Sequence, residues 1–191
     1  LACLATRALF FLMRLSRKHA HIVKFTDATD LPVCLNKNAA KHKTMKHLAS
    51  WGHSGKGFYY GLKMTLTRDL RGGILGIRFS AGNANDREIF KKINQDMDGV
   101  FVADAGYASK ELEKSFYREH RRILLTKPRK NMKRIATFFE IFLYNQRFKI
   151  EFDFRSLKQF YGLITSLPRS INGYIANYIY ALLAYVIRQP N

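Results

Sequence analysis

The sequence predicts an α/β fold: a mixed sheet of three antiparallel strands followed by alternating helix and strand units, flanked by helices. Three observations predict it. Two β-rich runs, FYYGLKMTLTRDL and GILGIRFSA, meet around RDLRGG, whose paired glycines suit a hairpin. Beyond them, amphipathic segments alternate with short apolar ones, and parallel strands need crossovers of that kind. Hydrophobic residues make up 47% of 191, with 15 Phe and 10 Tyr, enough for one domain with a real core.

In chain order, HIVKFTD reads as a short apolar strand ending on Asp27. The segment LPVCLNKNAAKHKTMKHLASWGHSGKG is polar, basic and punctuated by glycine, and reads as a loop. The hairpin follows. NDREIFKKINQ then opens a helix, with Asn85 as its N-cap and Glu88 in its first turn. DGVFVAD is a largely apolar strand ending on Asp104; SKELEKSFYREH is helical, RRILLTK is a strand and PRKNMKR a basic turn. From about Met132 the pattern is helical to the end, with a break near Pro168. The opening LACLATRALFFLMRL reads as the end of an upstream helical region, which sets residues 1–20 apart from a domain over 21–191. A chain that opens on Leu1 rather than Met reads as a fragment missing an upstream part. The resulting order, β-β-β-α-β-α-β-α-α, is that of the ribonuclease-H-like fold.

Charge narrows the function. Lys+Arg number 33 against 14 Asp+Glu, a net +19, and an excess that large implies a polyanionic partner, nucleic acid or an anionic membrane. The C-terminal INGYIANYIYALLAYVIR could be taken for a membrane span, but Asn172 and Asn177 interrupt it, and a helix packed on the domain is the better reading. Arg7 and Arg14 break the first apolar run. Cys3 and Cys34 make neither a disulfide framework nor a CxxC pair, which argues for a reducing cytosol and against structural zinc. Cys34 reads as a buried small side chain. The spacings of His42, His47 and His53 match neither zinc-finger nor HExxH patterns, and GHSGKG lacks the spacing of a phosphate loop. RRILLTKPRKNMKR holds seven basic residues and no acid; it is either a DNA-tracking rim or a solubilising loop.

The acids carry the chemistry. In YNQRFKIEFDFRSLK, a helix of 3.6 residues per turn gathers Tyr144, Arg147, Glu151 and Lys158 within an arc of roughly 60°. Ile150, Phe154, Leu157 and Tyr161 form an apolar stripe roughly 80° away, and Asp153 points roughly 160° from Glu151, so it cannot share its site. Ordinary amphipathicity accounts for such a stripe as well. Asp27 and Asp104 each end an apolar strand, at the edge of an open α/β sheet where sites gather. Each could also serve as a local cap or turn residue. Should Asp27, Asp104 and Glu151 meet, their mutual repulsion would call for divalent cations; Mg²⁺ favours hard oxygen ligands, and two such ions can clamp a phosphodiester.

These residues carry a resemblance. YNQRFKIEFDFRSLK matches Y-x2-R-x3-E-x6-K at all four positions, the signature of a large group of bacterial insertion-sequence DDE transposases. FTDATDLPVC resembles that group's first-aspartate strand and FVADAGYASKEL its second-aspartate block; GFYYGLKMTL, FSAGNANDRE and NYIYALLAYVIR resemble its intervening strands, turn and closing helix. The resemblance implies a metal-binding catalytic triad of Asp27, Asp104 and Glu151 with Mg²⁺ or Mn²⁺, two ions in all. It implies DNA-phosphate contacts by Arg147 and Lys158, with Tyr144 supporting that end of the site. The implied activity is cutting at transposon ends and joining to target DNA, by a homo-oligomer on paired ends, acting on the chromosome in the cytoplasm and not at a membrane. Three features depart from the group: Asp30 stands where proline is frequent, Phe152 follows Glu151, and the interval from Asp104 to Glu151 leaves no room for a large inserted domain. The group's N-terminal DNA-recognition region is not seen. The alternative is therefore a catalytically inactive remnant that binds DNA without sequence preference.

Overall fold

Strand β1 (Val23–Pro32) is the hub of a six-stranded sheet whose other members are β2 (Ser50–Ser54), β3 (Gly57–Asp69), β4 (Ile74–Ala81), β5 (Val100–Ala103) and β6 (Ile123–Thr126). The computed structural model describes residues 2–120, 122–127, 137–164 and 168–189. In space the strands run β2–β3–β1–β5–β6, with β4 also paired to β3. The β1–β3, β2–β3 and β3–β4 pairs are antiparallel, whereas β1–β5 and β5–β6 are parallel. This mixed sheet, flanked by helices, is compatible with a ribonuclease-H-like fold.

Helices cover both faces, because alternate residues of each strand look opposite ways. On one side, Val23, Phe25 and Leu31 of β1 join a core with α1 (Ala2–Lys18), α5 (Phe148–Gln159) and α6 (Ile171–Ile187). On the other, Phe101 of β5 packs with Phe90 of α2 (Asp86–Ile93) and Phe116 of α3 (Lys110–His120), their ring centres 5.1–6.1 Å apart. The predicted N-cap forms: the Asn85 side chain accepts a hydrogen bond from the Arg87 N–H. So does the predicted hairpin. Asp69 Oδ1 accepts from the N–H groups of Gly72 and Gly73, and Gly72 sits at φ 114°, where a side chain is disfavoured.

Three sequence readings need correction. β1 does not end at Asp27 but runs on to Pro32, because β3 is 13 residues long and keeps pairing with it as far as Gly61. The stretch read as a loop contains β2, whose SWGHS shows no alternation and becomes a strand only because β3 offers it an edge. Arg122, counted in the basic rim, is buried. It donates to the carbonyls of Asn94 and Gln95, pairs with Glu119 and lies over the Phe116 ring. The turn PRKNMKR and a helix start at Met132 lie outside the described residues.

The final helical stretch is not continuous. A turn at Arg147 separates α4 (Phe138–Gln146) from α5, and a break from Phe160, with Gly162 at φ 68°, precedes α6. Leu182 of α6 is fully buried, while Ile175 remains 37% exposed. Among the described residues no helix is long and apolar enough to cross a membrane.

Candidate active site

The parallel pairing of β1 with β5 ends at Phe25 opposite Val102. Two residues further along that register, Asp27 comes level with Asp104. Past this point no strand among the described residues pairs with the β5 side of β1, and α5 packs against β1. Asp104 takes the local role that the sequence left open, capping the turn that follows with Oδ1 accepting from the Ala105 N–H; Asp27 lies within β1 and caps no loop, though its Oδ1 accepts from the Ala28 N–H, each bond at 2.8 Å. Each local bond uses only one carboxylate oxygen. The second Asp27 oxygen is bound from across the site.

That partner comes from the junction of α4 and α5. Ile150, Phe154 and Leu157 are buried, as the apolar stripe predicted. The orientation of α5 is fixed from behind by Asp153, which receives Arg68 Nη1 at 2.9 Å on both oxygens and the Tyr185 hydroxyl at 2.5 Å. With Asp153 facing inward, the opposite side of α5 faces the sheet's rim. Arg147 Nη1 donates to Asp27 Oδ2 at 2.9 Å and Nη2 donates to Glu151 Oε1 at 2.6 Å. Lys158 Nζ donates to Asp30 Oδ1 at 3.0 Å. Tyr144 is half-buried against the main core, and its carbonyl accepts the Arg147 N–H at 3.0 Å. That bond and Ile150 N–H to Arg147 O both span three residues, the tighter winding that turns the chain at Arg147.

Electrostatics couple all three acids. The carboxyl of Asp27 is pushed up to about 6, first by burial; Arg147 and the Ala28 N–H oppose this, and the charges of Asp104 and Glu151 add to it. Beside it, the Tyr107 phenol is buried and held far above its ordinary range, chiefly by desolvation and then by the charges of Asp27, Asp86 and Asp104.

A cleft of about 220 Å³ opens along this rim, lined in part by Asp27, Asp30, Asp86, Asp104, Tyr59 and Lys63. Lys63 Nζ donates to Asp86 Oδ1 at 2.7 Å. The Tyr59 hydroxyl is buried with no hydrogen-bond partner among the described residues, and its phenol is pushed up to about 12 by burial and then by Asp30 and Asp86. Desolvation lowers the Lys158 ammonium, and Asp30 opposes that shift.

Sequence reading missed Asp30, Tyr59, Lys63, Asp86 and Tyr107 as parts of this site. Asp30 registered only as a departure and Asp86 only as part of the helix-opening run NDREIFKKINQ. Lys63 stands opposite Asp30 in the β1–β3 register, a relation invisible until the strands are aligned.

Could a divalent ion be held here? The donor set suits one in kind: three carboxylates from three separate elements, whose charges act on one another. Among the described residues, however, no three acidic, histidine or cysteine side chains stand close enough together to hold an ion. The Arg147 cation bridges Asp27 and Glu151. Of the sequence-predicted residues, then, Asp27, Arg147 and Glu151 touch, Asp104 lies within electrostatic reach, Lys158 is tied to Asp30, and Tyr144 is set back in the core. A family model described as a transposase DDE domain matches residues 17–171. No curated protein and no solved structure matches the chain.

Proposed function

The chain belongs to the transposase DDE domain family, and on that premise we propose that it cleaves DNA at insertion-sequence ends and transfers the freed strand to a target. The observation that carries this reading is the Arg147 bridge, which joins Asp27 on the central strand to Glu151 on α5 across 124 residues of sequence. Asp27, Asp104 and Glu151 are the proposed metal ligands. Mg²⁺ or Mn²⁺ bound there, in two ions, would supply activation of the attacking oxygen and stabilisation of the leaving one.

The protein's own groups do the rest. Arg147 holds Asp27 and Glu151 together against their repulsion, and on loading it would turn its guanidinium towards a DNA phosphate. Lys158 would exchange Asp30 for a second phosphate. Tyr144, packed behind Arg147, supports that turn of the helix. The Tyr59 hydroxyl, without a hydrogen-bond partner among the described residues, would donate to a phosphate oxygen. Cytoplasmic action on chromosomal DNA by a homo-oligomer on paired ends belongs to the same proposal.

The test is nicking of a DNA substrate carrying the element's ends, in Mg²⁺ and in EDTA. Wild-type protein is expected to nick only with the ion. Glu151→Gln, Asp27→Asn and Asp104→Asn should each lose at least 100-fold while still binding DNA. Wild-type rates in Glu151→Gln would end the proposal.

A further inference from the structure

The basic residues around the acidic cleft are already partnered: Arg147 with Asp27 and Glu151, Lys158 with Asp30, Lys63 with Asp86. A second concavity, of about 460 Å³, has the opposite character. It lies along β4, whose only strand partner among the described residues is β3. Met13 of α1 packs into the core on one face of the sheet and Phe90 of α2 into the core on the other, so the two helices flank this edge strand. Arg14 and Arg17 reach the concavity from α1, Arg78 from β4, and Lys92 from the C-terminal end of α2; Asp96 is the one acid lining it. All four cations are exposed. Arg17 Nε donates to the Leu75 carbonyl at 2.6 Å, which lays that side chain along the strand. Among the described residues, the side chains of Arg14, Arg78 and Lys92 form no ion pair and no hydrogen bond.

We propose that this groove is a binding site for the phosphate backbone of duplex DNA, separate from the acidic cleft; it rests on the reading that the chain works on DNA. Asp86 opens α2 beside the cleft and Lys92 closes it beside the groove, about 9 Å further along the helix at 1.5 Å per residue. A duplex held in the groove is therefore gripped away from the carboxylates. Charges without internal partners have no pairing to give up before they meet a phosphate. Contacts of this kind position DNA and read no sequence.

The test is fluorescence anisotropy of a labelled 25-base-pair duplex in EDTA, titrated at several KCl concentrations. Wild type is compared with the triple variant Arg14→Ala/Arg78→Ala/Lys92→Ala and with the corresponding triple Glu variant. All three side chains are exposed, so urea midpoints should coincide with wild type. The Ala variant is expected to bind at least 10-fold more weakly at 100 mM salt and the Glu variant more weakly still. The slope of log K against log[salt] should become shallower by about 2–3, at about 0.9 per lost phosphate contact. Unchanged affinity and slope would overturn the proposal. So would an unchanged slope accompanied by self-association, because the cations would then be guards against edge-to-edge pairing of β4. Nicking by Glu151→Gln reports on the acidic cleft alone. The groove result and the cleavage result can thus fail separately.

Discussion

At Arg147 one guanidinium answers two carboxylates, and its removal should act in opposite directions on two readouts. Arg147→Met takes away the cation that lies between Asp27 and Glu151. Mn²⁺ binding, followed by electron paramagnetic resonance, is expected to tighten about 10-fold, a difference of about 1.4 kcal/mol. Nicking should nevertheless fall, because the proposed phosphate contact is gone; equal Mn²⁺ affinity in variant and wild type would deny Arg147 any competition with the ion. Asp30 gives a second case. It holds Lys158 at 3.0 Å, with both side chains about four-fifths buried. Asp30→Asn frees Lys158 for DNA, and the expected outcome is tighter duplex binding with a salt slope steeper by about 1. Identical slopes would mean that Lys158 does not reach the backbone.

Helix α5 is aimed by what lies behind it. The Asp153–Arg68 pair and the Tyr185 hydroxyl join α5 to β3 and α6, with Arg68 and Asp153 both buried. Asp153→Ala leaves Arg68 buried without its carboxylate and should destabilise the fold by about 3–5 kcal/mol, read from urea unfolding. Arg68→Met combined with Asp153→Leu should recover most of that loss, as well-packed apolar replacements of buried pairs do. If the double variant is as unstable as the single, the cost lies in packing and not in the stranded charge. The angular argument from sequence already separated Asp153 from Glu151, and the buried stripe lies where it was expected. What sequence could not give were the partners. Local periodicity records which side of a helix is apolar, but Asp30, Lys63 and Asp86 come together only through strand register and helix placement. β2 escaped notice for a related reason, since its five residues carry little local preference and depend on β3. Arg122 was misplaced because a buried arginine with carbonyl partners looks, in one dimension, like any member of a basic run.

Across the molecule, a net charge of +19 over 191 residues sets how the protein meets a polyanion. Duplex binding should be strongly salt-dependent, losing at least 10³-fold between 50 and 200 mM salt if six or more phosphates are engaged. Calorimetric or anisotropy titrations with little salt response would contradict this. The α/β order, the hairpin and both aspartate strands were legible in the sequence because each is written in local apolar pattern and turn residues. The path of β1 was only half legible, since its second half is held by β3 and not by its own composition. That path also bears on how the protein comes into being. β1 occupies the middle of the sheet, and Glu151 is synthesised 124 residues after Asp27. Such distant pairings close slowly. The proposed site is therefore incomplete until α5 has docked on β1, so that any cleavage activity would be gained late in folding.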